Sequence, residues 1–190
     1  MIINRPLILA SKSPRRSQLL TEAGFEFTIQ TKDTEESYPP TLPPSEVPAY
    51  LAEKKAVACA SFIKDQEIII AADTIVILDG EIYEKPKDDE DAVRILKALS
   101  GKVHEVITGV CLLAAEQKLI FSGHASVHFE PISDQEIRYY IDTFQPFDKA
   151  GAYAIQEWLG LCKISKIEGT YANIMGLPVD LVYRNLLKFI

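Results

Sequence analysis

Two periods of apolar residues alternate along the first hundred positions. Leu7-Ile8-Leu9-Ala10 is a continuous apolar run, the pattern of a short strand buried on both faces. Ser13 and Pro14 follow at once and predict a helix start, with Ser13 at the N-cap and Pro14 in the first turn. That helix carries Leu19, Leu20 and Ala23 on one side and stops at Gly24. Residues 25–31 read as a second strand. An acidic stretch and the prolines of 39–44 then mark a loop or a crossing between lobes. A helix is predicted over 45–63. Strands at 67–78 and 81–83 surround Asp79-Gly80, a strong hairpin signal. Residues 88–100 repeat Ala92, Ile95, Leu96 and Leu99 at helical spacing, with acids in the first turn that suit the helix dipole. Strands at 105–115 and 118–130 are expected to pair as a long hairpin. Ser133 and Glu136 form a capping box that opens a helix to about Phe144. A glycine-containing loop at 147–156, a strand at 161–167 and a closing helix at 179–190 complete the pattern. Crossover helices and hairpins together predict an α/β fold with a mixed β-sheet and flanking helices.

Composition narrows the classes of function. With 190 residues, 47% hydrophobic and 25% charged, the chain suits one domain with a real core, and disordered or low-complexity readings fail. A net charge of −7 argues against general binding of nucleic acid or anionic membranes, so an anionic ligand needs a local cluster of cations. The longest apolar run, around residues 68–72, is far too short to span a bilayer. The first residues lack the order of a signal peptide, and the expectation is a soluble cytoplasmic protein. Cys59, Cys111 and Cys162, an odd set without paired spacing, are expected to be free thiols.

Several polar residues sit where folding alone would not put them. Arg15 and Arg16 occupy the first turn of a predicted helix, where cations oppose the dipole at ~0.3–1 kcal/mol each. Free backbone N–H groups, the hydroxyls of Ser11 and Ser13 and two guanidinium forks there suit phosphate oxygens. The competing reading sends both arginines into solvent or onto carboxylates. Asp73 lies within an apolar run, where a carboxylate is costly unless paired, hydrogen-bonded or bound to metal. Lys55 falls within the apolar arc of its helix, either snorkelling to the rim or aiming its charge into a cleft beside a phosphate. Lys85, before Pro86, adds a second candidate cation. Glu35 and Glu36 are either solvated loop acids or the further oxygen ligand that Mg²⁺ needs beside Asp73. His104, His124 and His128 are read as structural or exposed, since two histidines on one strand face make a weak zinc signal. No nucleophile elbow, P-loop or dinucleotide fingerprint is present.

In order, Ser11-Lys12-Ser13-Pro14-Arg15-Arg16, Ala52-Glu53-Lys54-Lys55-Ala56, Ala72-Asp73-Thr74, Lys85-Pro86, Ser100-Gly101-Lys102-Val103-His104, Asp148-Lys149-Ala150-Gly151-Ala152-Tyr153 with Gln156, and Gly176-Leu177-Pro178 resemble the Maf nucleoside triphosphate pyrophosphatases. The resemblance runs over essentially the whole chain. It implies one domain over residues 1–190, in two lobes around a central cleft, with an inosine triphosphate pyrophosphatase-like fold. It also implies cleavage between the α- and β-phosphates with a divalent metal, Mg²⁺ or Mn²⁺, and a homodimer. By resemblance Asp73 is the catalytic base, and Ser13, Arg15, Arg16, Lys55 and Lys85 are phosphate-side groups. Glu36 matches a carboxylate of metal binding or catalysis, and Asp73 with Glu36 is the implied metal pair. Arg15, Thr74 and Gln156 match the specificity markers of the dTTP/UTP branch. A glutamine amide offers donor and acceptor to an imide edge, whereas the glutamate of the 7-methyl-GTP branch only accepts. Two alternatives stand beside this reading: a 7-methyl-GTP pyrophosphatase, and a regulatory nucleotide-binding protein of cell division and septum formation with little turnover.

Overall fold

A computed structural model describes residues 3–189. Ile190, where the expected closing helix ends, and Met1 and Ile2 lie outside the described residues. The elements are β1 (Leu7–Leu9), α1 (Pro14–Glu22), β2 (Phe27–Ile29), α2 (Val47–Ala58), β3 (Ile68–Leu78), β4 (Glu81–Tyr83) and α3 (Asp89–Leu99). They continue with β5 (Val103–Leu113), β6 (Lys118–Phe129), α4 (Asp134–Phe144), α5 (Trp158–Lys163), β7 (Ile164–Glu168), α6 (Tyr171–Met175) and α7 (Val179–Leu186). The strands form a seven-stranded mixed sheet in the order β2-β1-β3-β5-β6-β7, with β4 paired to β3 beside that path. β1 runs parallel to both β2 and β3, whereas β4 and β7 are antiparallel to their partners.

The chain divides into two compact units. The first comprises Met1–Asp73, Thr108–Gly123 and Gly176–Ile190, and the second Thr74–Ile107 and His124–Met175. In the first, β2 and β3 lie on opposite sides of β1, so the crossover from β1 to β2 runs one way and that from β2 to β3 returns past β1. Such a reversal opens a crevice at the carboxyl ends of the parallel strands, where ligands of open α/β sheets bind. α2 covers one face of this sheet: Ala52, Ala56 and Cys59 pack on Ile8, Ala10, Ile69, Ala71 and Cys111. The contact is close because β5 offers Gly109 beneath the helix. A Cβ there would lie 2.2 Å from the backbone of Pro48 and Ala49. In the second unit, Ala92, Ile95, Leu96 and Leu99 of α3 join Ile137, Tyr140 and Ile141 of α4 and Val127 and Phe129 of β6 in a second core.

Local signals hold where they depend only on residues close in the chain. Asp79 (φ 53°) and Gly80 (φ 82°) both adopt the left-handed region that a two-residue hairpin needs, and Val76 faces Tyr83 across it. The Ser133–Glu136 capping box is complete. β5 and β6 are neighbours, joined at a turn where Ala114 N–H donates to Gln117 O.

Several expected elements are corrected. The 45–63 helix breaks into a 3-10 turn at Pro44–Glu46, α2, and another at Ala60–Phe62. Pro48 has no N–H for the carbonyl of Pro44, and Cys59 N–H already splits between Lys55 and Ala56 carbonyls as the last turn tightens. The expected strand over 161–167 begins only at Ile164, because α5 takes the preceding residues. Gly160 permits that helix: a Cβ there would sit 1.8 Å from Ile155 O. The second strand shrinks to Phe27–Ile29, and α6 was not expected. Ala23 is an exposed C-cap rather than part of the buried side of α1. Ser13 occupies the N-cap without a side-chain cap bond; its N–H donates instead to Ser11 Oγ at 3.2 Å.

Candidate active site

Alternation along β3 puts Ile69, Ala71 and Asp73 on one face, so Asp73 continues the surface on which α2 packs. α2 is anchored by Ala52 and Ala56, which sets Lys55 on the flank of that contact. The two side chains meet, with Lys55 Nζ 2.5 Å from Asp73 Oδ1. The same ammonium reaches Glu36 Oε1 at 2.7 Å, from the loop after β2. Only 13% of the Asp73 side chain and 18% of Lys55 are exposed, whereas Glu36 is 52% exposed. The buried acid is thus compensated by a cation, and one end of the trio opens to solvent.

The turn after β1 supplies a second group. Arg16 Nε donates to Gly176 O at 2.8 Å and its Nη1 to Ser11 Oγ at 3.1 Å. Burial lowers its hold on the proton and Asp73 opposes that; Arg15 lowers it further and Glu36 raises it again. The guanidinium therefore stands in the field of both carboxylates and of its neighbour, held by a serine and a backbone carbonyl. Arg15 is half-buried beside it. Ser13, Arg15, Arg16, Glu36, Lys55 and Asp73 all belong to the first unit, with Ser13, Arg15 and Arg16 following β1 and Asp73 three residues beyond the parallel register of β3.

Three further candidates lie in the second unit. Thr74 is half-buried on β3. Lys85 is exposed just after β4 and makes no hydrogen bond or ion pair among the described residues. Gln156 precedes α5, and its Oε1 is buried without a hydrogen-bond partner. A buried acceptor left unpaired costs ~1–3 kcal/mol. The segment before it is strained and pinned. Ala152 has φ 58° while fully buried, and a Cβ on Gly151 would lie 2.8 Å from Val76.

The residues that hold this segment escaped the sequence reading. Lys149 is buried and pairs with Asp148 at 2.7 Å and Glu157 at 3.4 Å. Tyr140 Oη donates to Glu157 Oε2 and accepts from Ala154 N–H. In the sequence Lys149 stands out only as part of the Asp148–Tyr153 motif, and nothing marks Tyr140. Ser11, counted as one hydroxyl among two, proves to be a holder of Arg16.

His104 is buried against Tyr153 and Phe129, His124 is exposed, and His128 pairs with Glu168 at 3.1 Å. All three cysteines are free, and burial pushes the Cys111 thiol up to about 12. No group of three or more His, Cys, Asp or Glu side chains suited to a metal exists among the described residues, which leaves Asp73 and Glu36 as a two-carboxylate pair. No helix among them is long and apolar enough to cross a membrane.

The chain is similar to several known proteins over nearly its whole length. A dTTP/UTP pyrophosphatase of Bacteroides thetaiotaomicron is 46% identical, covering 96% of this chain and 95% of its own. Proteins of the same name from Phocaeicola vulgatus and Cytophaga hutchinsonii are 48% and 49% identical, covering 96% and 97% of this chain and 95% and 84% of theirs. Among solved structures, the Staphylococcus aureus Ham1 protein overlaps 66% of this chain and 72% of its own at 17% identity with a TM-score of 0.48, too low to carry an assignment. The family model described as Maf-like protein matches residues 6–189, taking in every candidate residue above, and the chain belongs to the Maf family.

Proposed function

We propose that this protein hydrolyses dTTP and UTP to the nucleoside monophosphate and pyrophosphate, as the printed names of its relatives describe for them. The observation that carries the reading is the convergence of Asp73 and Glu36 on the Lys55 ammonium, with Arg16 in the field of both acids. An anionic substrate meets cations here, and a carboxylate stands ready for a proton. Asp73 takes the proton of a water as its oxygen attacks the α-phosphorus. The bond from that phosphorus to the α–β bridging oxygen breaks, and pyrophosphate leaves. Arg15, Arg16, Lys55 and Lys85 neutralise the charge that gathers on the phosphates, where preorganised cations act most strongly. The Ser13 hydroxyl and the backbone at the start of α1 bind phosphate oxygens.

The donor set suits a divalent cation, since two hard carboxylate oxygens already share one positive group. Asp73 and Glu36 would hold Mg²⁺ or Mn²⁺, which when bound supplies Lewis-acid charge to phosphate oxygens. Thr74 and Gln156 are assigned to the base. The unpaired Gln156 Oε1 suits the ring N–H of uracil or thymine. Residues 1–190 act as one catalytic domain, in the cytoplasm and as a homodimer.

Purified protein given a panel of nucleoside triphosphates with Mg²⁺ should release pyrophosphate fastest from UTP and dTTP. Orthophosphate release would mean that another bond is cut, and a flat response across bases would remove the assignment of substrate.

A further inference from the structure

The orphan oxygen of Gln156 poses a question that base recognition alone does not answer. A glutamine with free torsions would turn its amide toward water and satisfy both ends. Here Oε1 stays buried and unpaired, so something holds the residue in place. Its flanks provide the answer. The preceding residue, Ile155, has its carbonyl oxygen so close to the backbone of Gly160 that a Cβ there would lie 1.8 Å from it. On the C-terminal side, the Glu157 carboxylate is gripped at both oxygens, Oε2 by Tyr140 Oη and Oε1 by Lys149 Nζ. Tyr140 also accepts from Ala154 N–H at 3.1 Å, and Lys149 is tied to Asp148. Tyr140 is fully buried, stacked on Phe144 with ring centroids 5.0 Å apart, and the Lys149 side chain is 9% exposed.

We infer that Tyr140, Glu157 and Lys149 form a clamp that positions the Gln156 amide, making them specificity-positioning residues that never touch the base. The inference rests on the dTTP/UTP reading. A fixed, desolvated carbonyl oxygen rewards a base edge that presents an N–H and penalises one that presents a lone pair. Uracil and thymine carry a donor at N3, and cytosine carries an acceptor there. The clamp converts that difference into selection, because an amide free to rotate would present its NH₂ to cytosine instead.

The test compares UTP with CTP in wild-type and variant protein through pyrophosphate release, with thermal unfolding recorded for each. Tyr140→Phe keeps the ring and removes both hydrogen bonds. It should raise KM for UTP while leaving kcat, so that the UTP:CTP ratio of kcat/KM falls about tenfold, the worth of one buried polar contact. Lys149→Met should lower the same ratio, and Lys149→Arg should restore it by keeping the ion pair to Glu157. That pair also keeps the inference testable if Tyr140→Phe does not fold. An unchanged ratio in folded Tyr140→Phe and Lys149→Met, or an equal loss with both nucleotides, overturns the clamp. Wild-type protein without preference for UTP over CTP overturns the reading beneath it and the clamp together.

Discussion

Asp73 and Lys55 are each costly alone and compensated together. Deleting one partner of a part-buried pair leaves the other charge in an apolar strand or helix, and the loss then mixes stability with chemistry. Asp73→Asn is the cleaner substitution, since the amide keeps size and can still hydrogen-bond Lys55. It should reduce kcat by at least about a hundredfold, the lower end for a lost general base, with thermal unfolding close to wild type. Pyrophosphate release at saturating UTP checks the first part and a melting curve the second. The sequence alone marked both residues, because a charge inside an apolar pattern shows without coordinates. It left open whether Lys55 snorkels to the rim or aims its charge into a cleft, and whether Glu36 or Glu35 is used. Those are choices of side-chain direction, and Lys55 turns inward to bridge Glu36 and Asp73.

At the scale of elements, the site depends on how near α2 approaches the sheet. Ala52 and Ala56 give a thin helix face, and Gly109 gives the strand beneath it no side chain. Gly109→Ala should therefore force α2 outward. The cost is expected at about 1–3 kcal/mol, as for other overpacked cores, seen as a lower denaturation midpoint. Lys55 would move with the helix, so turnover should fall along with stability. Which elements exist was largely legible: the hairpin at Asp79-Gly80, the capping box at Ser133 and the helix over Ala92–Leu99 follow from local chemistry. The break around Pro48 and the short helix α5 were not. Each depends on hydrogen bonds or close approaches that a one-dimensional period does not carry.

For the molecule as a whole, acid is the expected weak point. Burial, with His128 adding to it, holds the His104 imidazole down to about 4, against 6.5 in an ordinary setting. A lowered folded value means that the unfolded chain binds the proton more tightly, so stability falls as pH drops below 6.5 and keeps falling until about 4. Each pH unit in that window should cost about 1.4 kcal/mol for this one group. Denaturant titrations at pH 7 and pH 5, followed by the fluorescence of Trp158 in the same unit, measure the slope. His104→Gln should flatten it. An unchanged slope in that variant would assign the acid sensitivity elsewhere.

The sequence by itself determined the α/β class, the family and most of the residues that meet at Lys55, because motif order, apolar period and misplaced charge are properties of the chain read in one dimension. Only the tertiary structure decided that Ser11 and Gly176 hold Arg16, that Asp73 and Glu36 share one ammonium, and that Gln156 is left with an unanswered oxygen between Gly160 and the grip of Tyr140 and Lys149. Hydrogen bonds between residues far apart in the chain depend on angles and distances that folding alone sets, and a buried atom is unpaired only once every neighbour has been placed.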